Sequence, residues 1–388
     1  MLKSTLCVVF TTTHANTLGN ACRLDMVNFM LSYFNVIIIT NQAEFIKKLF
    51  PNQEVVSVKG KKNLKFSLYE DIRYWKYLGE KINLIHSDGV FMFHDDAPST
   101  IWVNKAVFQY IHQYGKRSAK NSRSFKDSLK FFKEQFNHML LIRGLKKSQM
   151  SFVVSTFLID FFKNEGIKEL KYIPHAIDIN KFKSPMITDI HKKQKELFND
   201  GYLIITYTGW VTENRGFSLM MDIIYKISRH NKKVVLVIAG ADKDFSLRIL
   251  EYQKKNQLHN NIINYGVVDA ELIPGILFFS SLCLSFWDVD VPGFQMAPPQ
   301  KIIEYFAAGK PVVCNKIQTH SVYVENGRTG LVLNMDSTEI SNSILELFQN
   351  KDYYNQMCAN AANEAKKYDI SNVYYDMVQT IRERIDES

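Results

Sequence analysis

The residues of the 388-residue chain whose types and spacing could do chemistry are concentrated in two short stretches of its second half. In Pro299-Gln300-Lys301-Ile302-Ile303-Glu304-Tyr305-Phe306-Ala307-Ala308-Gly309-Lys310-Pro311, Pro299 can open a helix, Gly309 can end it in a left-handed cap and Pro311 forbids its continuation. Lys301 then falls in the first turn, where the helix dipole disfavours a cation by roughly 0.3–1 kcal/mol unless an anion is bound. A diphosphate would be such an anion, with free amides around Pro299 and Gln300 assisting. Glu304, three residues on, shares a face with Lys301 and could take two sugar hydroxyls. The same spacing also suits a structural Lys301–Glu304 pair on an ordinary helix.

The second stretch, Tyr207-Thr208-Gly209-Trp210-Val211-Thr212-Glu213-Asn214-Arg215-Gly216, follows a buried-strand pattern and precedes an amphipathic helix with Phe217, Met220, Ile223, Ile224 and Ile227 inward. Gly209 permits a sharp turn and close ligand approach, and Arg215 offers a bidentate fork for phosphate. A tight turn with a solvated arginine reads the same way. In the first half, His94 and His112 end two adjacent strand-like runs, and each suits either a structural or a ligand-facing role. No Asp pair has a compelling metal-binding context: Asp95-Asp96 and Asp288/Asp290 both read as loop residues.

The elements that must position these groups are short, nearly continuous Val/Ile/Leu runs alternating with helical-period segments, the signature of βα units on buried parallel sheets. Seven such runs precede residue 185 and six follow it, enough for each half to close its own doubly wound sheet. The expected architecture is α/β, two Rossmann-like domains facing a cleft, with the C-terminal helix packing back on the N-terminal domain. Residues 1–185 would form the acceptor- and membrane-facing domain, 186–368 the ligand-binding domain and 369–388 the returning helix.

Composition excludes other classes. Apolar residues make up 46% and charged residues 22%, which is ordinary globular usage. Five scattered cysteines without CxxC pairs form neither a disulfide framework nor a zinc site, which fits a reducing cytoplasm. No apolar run approaches the roughly 20 residues of a spanning helix. The net charge of +9 is unevenly placed: residues 1–185 hold 27 lysines and arginines against 15 acidic residues, and the rest hold 21 against 24. Lys116 to Lys147 alone carry ten basic residues against Asp127 and Glu134, with Phe125, Leu129, Phe132, Phe136 and Leu140 at helical spacing. Such a helix reads either as an anchor on anionic lipid, with Lys116, Arg117, Arg123, Lys126, Phe132, Lys133 and Phe136 facing the membrane, or as a core-facing helix with a solvated basic back. Nucleic acid is not an expected partner, since the aromatics form a helix stripe and not a stacking platform.

Taken together, the segments resemble GT-B retaining glycosyltransferases of family 4, the glycosyl transferases group 1. Tyr207 to Gly216 look like that family's strand, glycine loop and basic residue, and Pro299 to Val313 look like its "P-x-K-x-x-E-Y-x-A-x-G-x-P-V-V" stretch. Gly266-Val267-Val268 is similar to its base-binding turn, and Ile173-Pro174-His175-Ala176-Ile177-Asp178 to its interdomain linker. The resemblance implies a nucleotide-diphosphate-sugar donor held by Gly19, Asn20, Gly209, Arg215, Val267, Pro299, Gln300, Lys301 and Glu304. His112, Arg215 and Lys301 would be the catalytic residues, with Glu304 on the ribose. It implies no cofactor and no metal, because cationic side chains stand at the leaving group. The expected reaction is sugar transfer with retention to a glycan acceptor, lipid-linked and of surface-polysaccharide or lipopolysaccharide type, at the inner face of the cytoplasmic membrane. Two positions depart from the family: Met296 stands where a first glutamate is usual, and Trp210 where an arginine often holds phosphate. The alternatives are a non-hydrolysing nucleotide-sugar epimerase on the same fold and a catalytically inert subunit of a glycan-assembly complex.

Overall fold

The computed structural model describes residues 3–11, 21–61, 68–112 and 125–387. Its apolar runs become β1 (Thr5–Val9), β2 (Asn35–Thr40), β3 (Glu54–Ser57), β4 (Gly89–Phe93), β5 (Ala106–Ile111), β6 (Met150–Val153) and β7 (Leu170–Tyr172), then β8 (Leu203–Thr208), β9 (Val234–Ala239), β10 (Ile262–Gly266), β11 (Leu282–Ser285), β12 (Val312–Asn315) and β13 (Gly330–Leu333). They form a seven-stranded sheet ordered β3-β2-β1-β4-β5-β6-β7 and a six-stranded sheet ordered β10-β9-β8-β11-β12-β13. Every strand pairing is parallel, with Val8 opposite both Ile38 and Phe91 in the first sheet and Ile205 opposite both Leu236 and Leu282 in the second. Strands buried on both faces need no polar alternation, which is why β4, β8 and β9 are buried along their whole length.

Among the described residues two units result, one built from residues up to 175 other than 21–22 together with those from 371 onward, the other from 176–370 with 21–22. The second therefore begins some ten residues before the expected boundary, because Ile177, Ile179 and Phe182 are part of its core. The helix Ile370–Asp386 packs on the first unit: Tyr374 and Tyr375 meet Phe29 and Tyr33 edge-on, Lys171 bonds Asp376 at 2.8 Å, and Arg384 bonds Glu169 at 3.0 Å.

The basic helix spans Phe125–Lys147. Its second half is a core element, with Leu140, Leu141, Ile142 and Leu145 buried. Of the residues expected on a membrane-facing side, Phe132 is 71% exposed. Lys133 instead turns inward to the buried Asp71 at 3.0 Å, and Phe136 packs on the apolar core of the first unit. Asp71 also takes Lys61 at 3.2 Å and Asn137 at 3.2 Å, and these partners hold its carboxyl below the usual range against the opposing effect of burial. Lys116, Arg117 and Arg123 lie outside the described residues, as does the side chain of Lys126. Among the described residues no helix is long and apolar enough to cross a membrane.

Candidate functional site

In a doubly wound sheet the ligand crevice lies beyond the carboxyl ends of the strands where the strand order reverses. In the second unit that point falls between β8 and β11. The loop leaving β8 turns at Gly209, whose amide donates to Ala239 O at 2.9 Å, and ends in the 3-10 turn Glu213–Arg215. Gly216 closes it at φ 78°, and a Cβ there would stand 2.6 Å from Phe286 Cβ, so only glycine lets this loop meet the exit of β11. The two loops are also joined directly, Asp288 N donating to Asn214 O at 2.8 Å.

The helix bearing the predicted lysine and glutamate spans Lys301–Ala307, starting two residues after Pro299. Gly309 takes φ 67° and Lys310 N bonds back to Tyr305 O at 2.9 Å, so the expected left-handed stop is present. The Tyr305 hydroxyl accepts from Thr208 N at 3.0 Å and from Thr208 Oγ1 at 3.1 Å, and donates to Leu284 O at 3.4 Å. One buried phenol thus fastens this helix to the ends of both strands flanking the crevice.

Lys301 does not reach across to Glu304 as a surface partner. Its Nζ is buried without a hydrogen-bond partner and lies 3.8 Å from the centre of the Tyr207 ring. Burial first, and then the charge of Arg215, hold its pKa well below the usual lysine range, while Glu304 opposes them. An ammonium buried beside a second cation is a costly arrangement that a bound anion would relieve. Glu304 Oε1 accepts from Gln300 Nε2 at 3.3 Å. Arg215 is half-buried, its Cζ 5.5 Å from the centre of the Phe294 ring. Val267, just beyond β10, is 57% exposed, and so is much of Trp210. The second unit therefore brings Gly209, Arg215, Lys301 and Glu304 to one crevice edge.

The first unit has its own reversal of strand order, between β1 and β4. There a polar cluster gathers that sequence spacing did not reveal. Arg23, on the helix Ala21–Met30, places Nη2 3.0 Å from Asp95 Oδ2 and 2.9 Å from His112 Nε2, with its Cζ 5.1 Å over Phe93. The same Nη2 lies 3.4 Å from His112 Nδ1, and since a guanidinium can only donate, His112 can serve it only as an acceptor. The Thr11 hydroxyl donates to Asp96, and burial pushes the Asp96 carboxyl up to about 7. The two aspartates belong to the 3-10 helix His94–Trp102 and not to a loop. Arg23 and Thr11 carried no motif signal; they meet the aspartates and His112 only because β1, β4 and β5 are neighbours. Gly19 and Asn20 lie outside the described residues, and so does the side chain of His94.

Two parallel doubly wound sheets, with an arginine and a buried lysine at the crevice of the second, define the class: the architecture is that of the GT-B glycosyltransferases. Residues 203–350, within the second unit, match the family model "Glycosyl transferases group 1". The fold is similar over 98% of this chain and 100% of the other to Anabaena HepE, solved with UDP and glucose, at TM-score 0.75 and 15% identity. Sucrose-phosphate synthase from Thermosynechococcus elongatus gives TM-score 0.73 and 13% identity, covering 100% of both chains. A Listeria monocytogenes protein assigned as a UDP-N-acetylglucosamine 2-epimerase gives TM-score 0.69 and 16% identity, over 100% of this chain and 98% of that one. A search of curated proteins gave no match.

Proposed function

We propose that the chain transfers a sugar, with retention, from a nucleotide-diphosphate-sugar held by the second unit to a glycan acceptor held by the first. The observation that carries this reading is the buried Lys301 Nζ, without a hydrogen-bond partner and close enough to Arg215 to feel its charge. Phosphate charge would restore the lysine's charged form and satisfy its hydrogen bonds, and both cations would then stabilise the diphosphate as it departs. On this reading the leaving group needs neither metal nor cofactor. Glu304 takes the ribose hydroxyls, Gly209 allows the donor close to the backbone, and Val267 borders the base. Gly19, Asn20, Pro299 and Gln300 are carried over as donor-binding from the family resemblance. Met296 offers no carboxylate to the sugar, and in a front-face retaining reaction the departing phosphate itself can accept the acceptor proton.

In the first unit, Arg23, Asp95 and His112 supply the polar groups that would orient the acceptor hydroxyl. A lipid-linked glycan at the inner face of the cytoplasmic membrane suits the +12 balance of residues 1–185. The epimerase reading draws support from the Listeria likeness.

A screen of nucleotide-sugars tests the proposal. A ligand bound only by the folded state raises the melting temperature by mass action, by a few degrees at about 100 times Kd. Wild type should be stabilised and Lys301→Met should not, and EDTA should leave both stabilisation and turnover intact. Interconversion of the sugar epimers without transfer would establish the epimerase instead. Tight binding without any turnover would establish the inert subunit.

A further inference from the structure

The loop between β11 and the helix Lys301–Ala307 carries aromatic side chains that diphosphate binding itself does not call for. Trp287 stacks on Phe294, ring centres 4.4 Å apart and planes 18° from parallel. Trp287 also meets His320, ring centres 5.4 Å apart and planes tilted by 36°. Both Trp287 and Phe294 are buried, and with Ile317 they form a small apolar core of their own. The stack is fixed to the strands beneath it. Asn315, at the end of β12, accepts from Trp287 N at 2.9 Å and donates to Trp287 O at 2.8 Å. His320 is held by Ser285 Oγ at 3.1 Å and Asn315 O at 3.0 Å. Phe294 O accepts from Thr319 Oγ1 at 2.5 Å, and Phe294 N donates to Val291 O at 3.0 Å.

What rests on this platform is Arg215, whose guanidinium carbon stands 5.5 Å from the centre of the Phe294 ring. An arginine at the mouth of a loop otherwise samples many rotamers, and a ligand must freeze them on binding. A guanidinium over a ring face is held by the ring quadrupole while its N–H edge stays available to an anion. We propose that Phe294, backed by Trp287, is a positioning residue that pre-sets the Arg215 guanidinium for the donor diphosphate. The inference rests on the donor reading above, since it needs Arg215 to bind phosphate. The loop that lacks the family's first glutamate thus aims a cation at the phosphates instead of offering a carboxylate to the sugar.

The test is a double-mutant cycle in the full chain, with Phe294→Leu, Arg215→Met and their combination, titrated with UDP and GDP and with the corresponding nucleosides. Phe294→Leu should weaken the better diphosphate about three- to tenfold and leave its nucleoside unaffected, while Phe294→Tyr, which keeps the ring face, should restore the affinity. In the Arg215→Met background Phe294→Leu should cost nothing further. A full additive loss in that background would overturn the proposal, because Phe294 would then act on the site without acting through Arg215. Equal weakening of nucleoside and diphosphate would overturn it as well. If Arg215→Met leaves diphosphate affinity unchanged, the donor reading itself fails and this inference falls with it. Should Phe294→Leu not fold, Phe294→Met fills the same apolar core without a ring face and decides in the same way.

Discussion

Asp96, in the first unit, stands in an environment far from that of a carboxyl in solution. Its carboxyl ordinarily loses its proton near 3.8, and here burial raises that value to about 7, with Asp95 adding to the rise. The Thr11 hydroxyl, Arg23 and Lys61 act in the other direction without cancelling it. Between about pH 4 and pH 7 the folded state holds a proton that the unfolded state has released, so stability falls as pH rises through that window and levels off above it. The slope reaches at most about 1.4 kcal/mol per pH unit. Asp96→Asn has no such proton to lose, so wild type should lose stability relative to the variant from pH 4 to pH 7. Urea denaturation at closely spaced pH values measures this, and a constant difference across the window would show that Asp96 ionises normally. The two charged clusters were unequally legible. Lys301 and Glu304 were visible because they sit three apart in one helix, in a setting bounded by Pro299 and Pro311. The Arg23–Asp95–His112 group draws on positions far apart in the chain, and no local pattern connects them.

Among the elements, the strands were the most legible. Leu203–Thr208, Val234–Ala239 and Gly330–Leu333 have the bounds their apolar runs predict, and the others shift by a residue or two at their ends. Burial on both faces leaves little freedom in composition, so the pattern is strong. What fastens elements to each other was not visible. Nothing in the spacing of Tyr305 distinguishes its hydroxyl from that of a surface tyrosine, yet it holds the helix Lys301–Ala307 to Thr208 and Leu284. Tyr305→Phe leaves the Thr208 amide and hydroxyl buried without that acceptor, which should cost about 1–3 kcal/mol of stability. Because Lys301 and Glu304 ride on the same helix, nucleoside-diphosphate affinity should fall together with stability, as calorimetry on the folded variant can measure. Destabilisation with donor affinity unchanged would mean that the helix keeps its place without the phenol.

At the scale of the whole molecule the +9 charge divides into a basic first half and a slightly acidic second, but charge counts overstate what is free to meet a partner. Lys61 and Lys133 are committed to the buried Asp71, and Lys147 donates to Ile101 O and Val103 O at 3.1 and 2.7 Å. These lysines support the fold, a use that the amphipathic pattern of Phe125–Lys147 could not separate from a membrane-facing one. The proposed attraction to anionic lipid therefore falls to the other basic residues, foremost Lys116, Arg117, Lys120 and Arg123. Co-sedimentation with vesicles of phosphatidylglycerol and of phosphatidylcholine distinguishes the two groups. Binding should require the anionic lipid and should weaken as salt is raised, since exposed charges are screened beyond about 10 Å at 0.1 M. Reversing Arg117 and Arg123 to glutamate should reduce binding at least about 30-fold, at about 1 kcal/mol per basic residue lost near the surface. Lys133→Met should leave vesicle binding nearly unchanged while lowering stability, because it strips a cation from Asp71. Binding that ignores lipid charge, or that depends on Lys133 as strongly as on Arg117 and Arg123, would refute the membrane assignment and leave the basic helix as a packing element of the first unit.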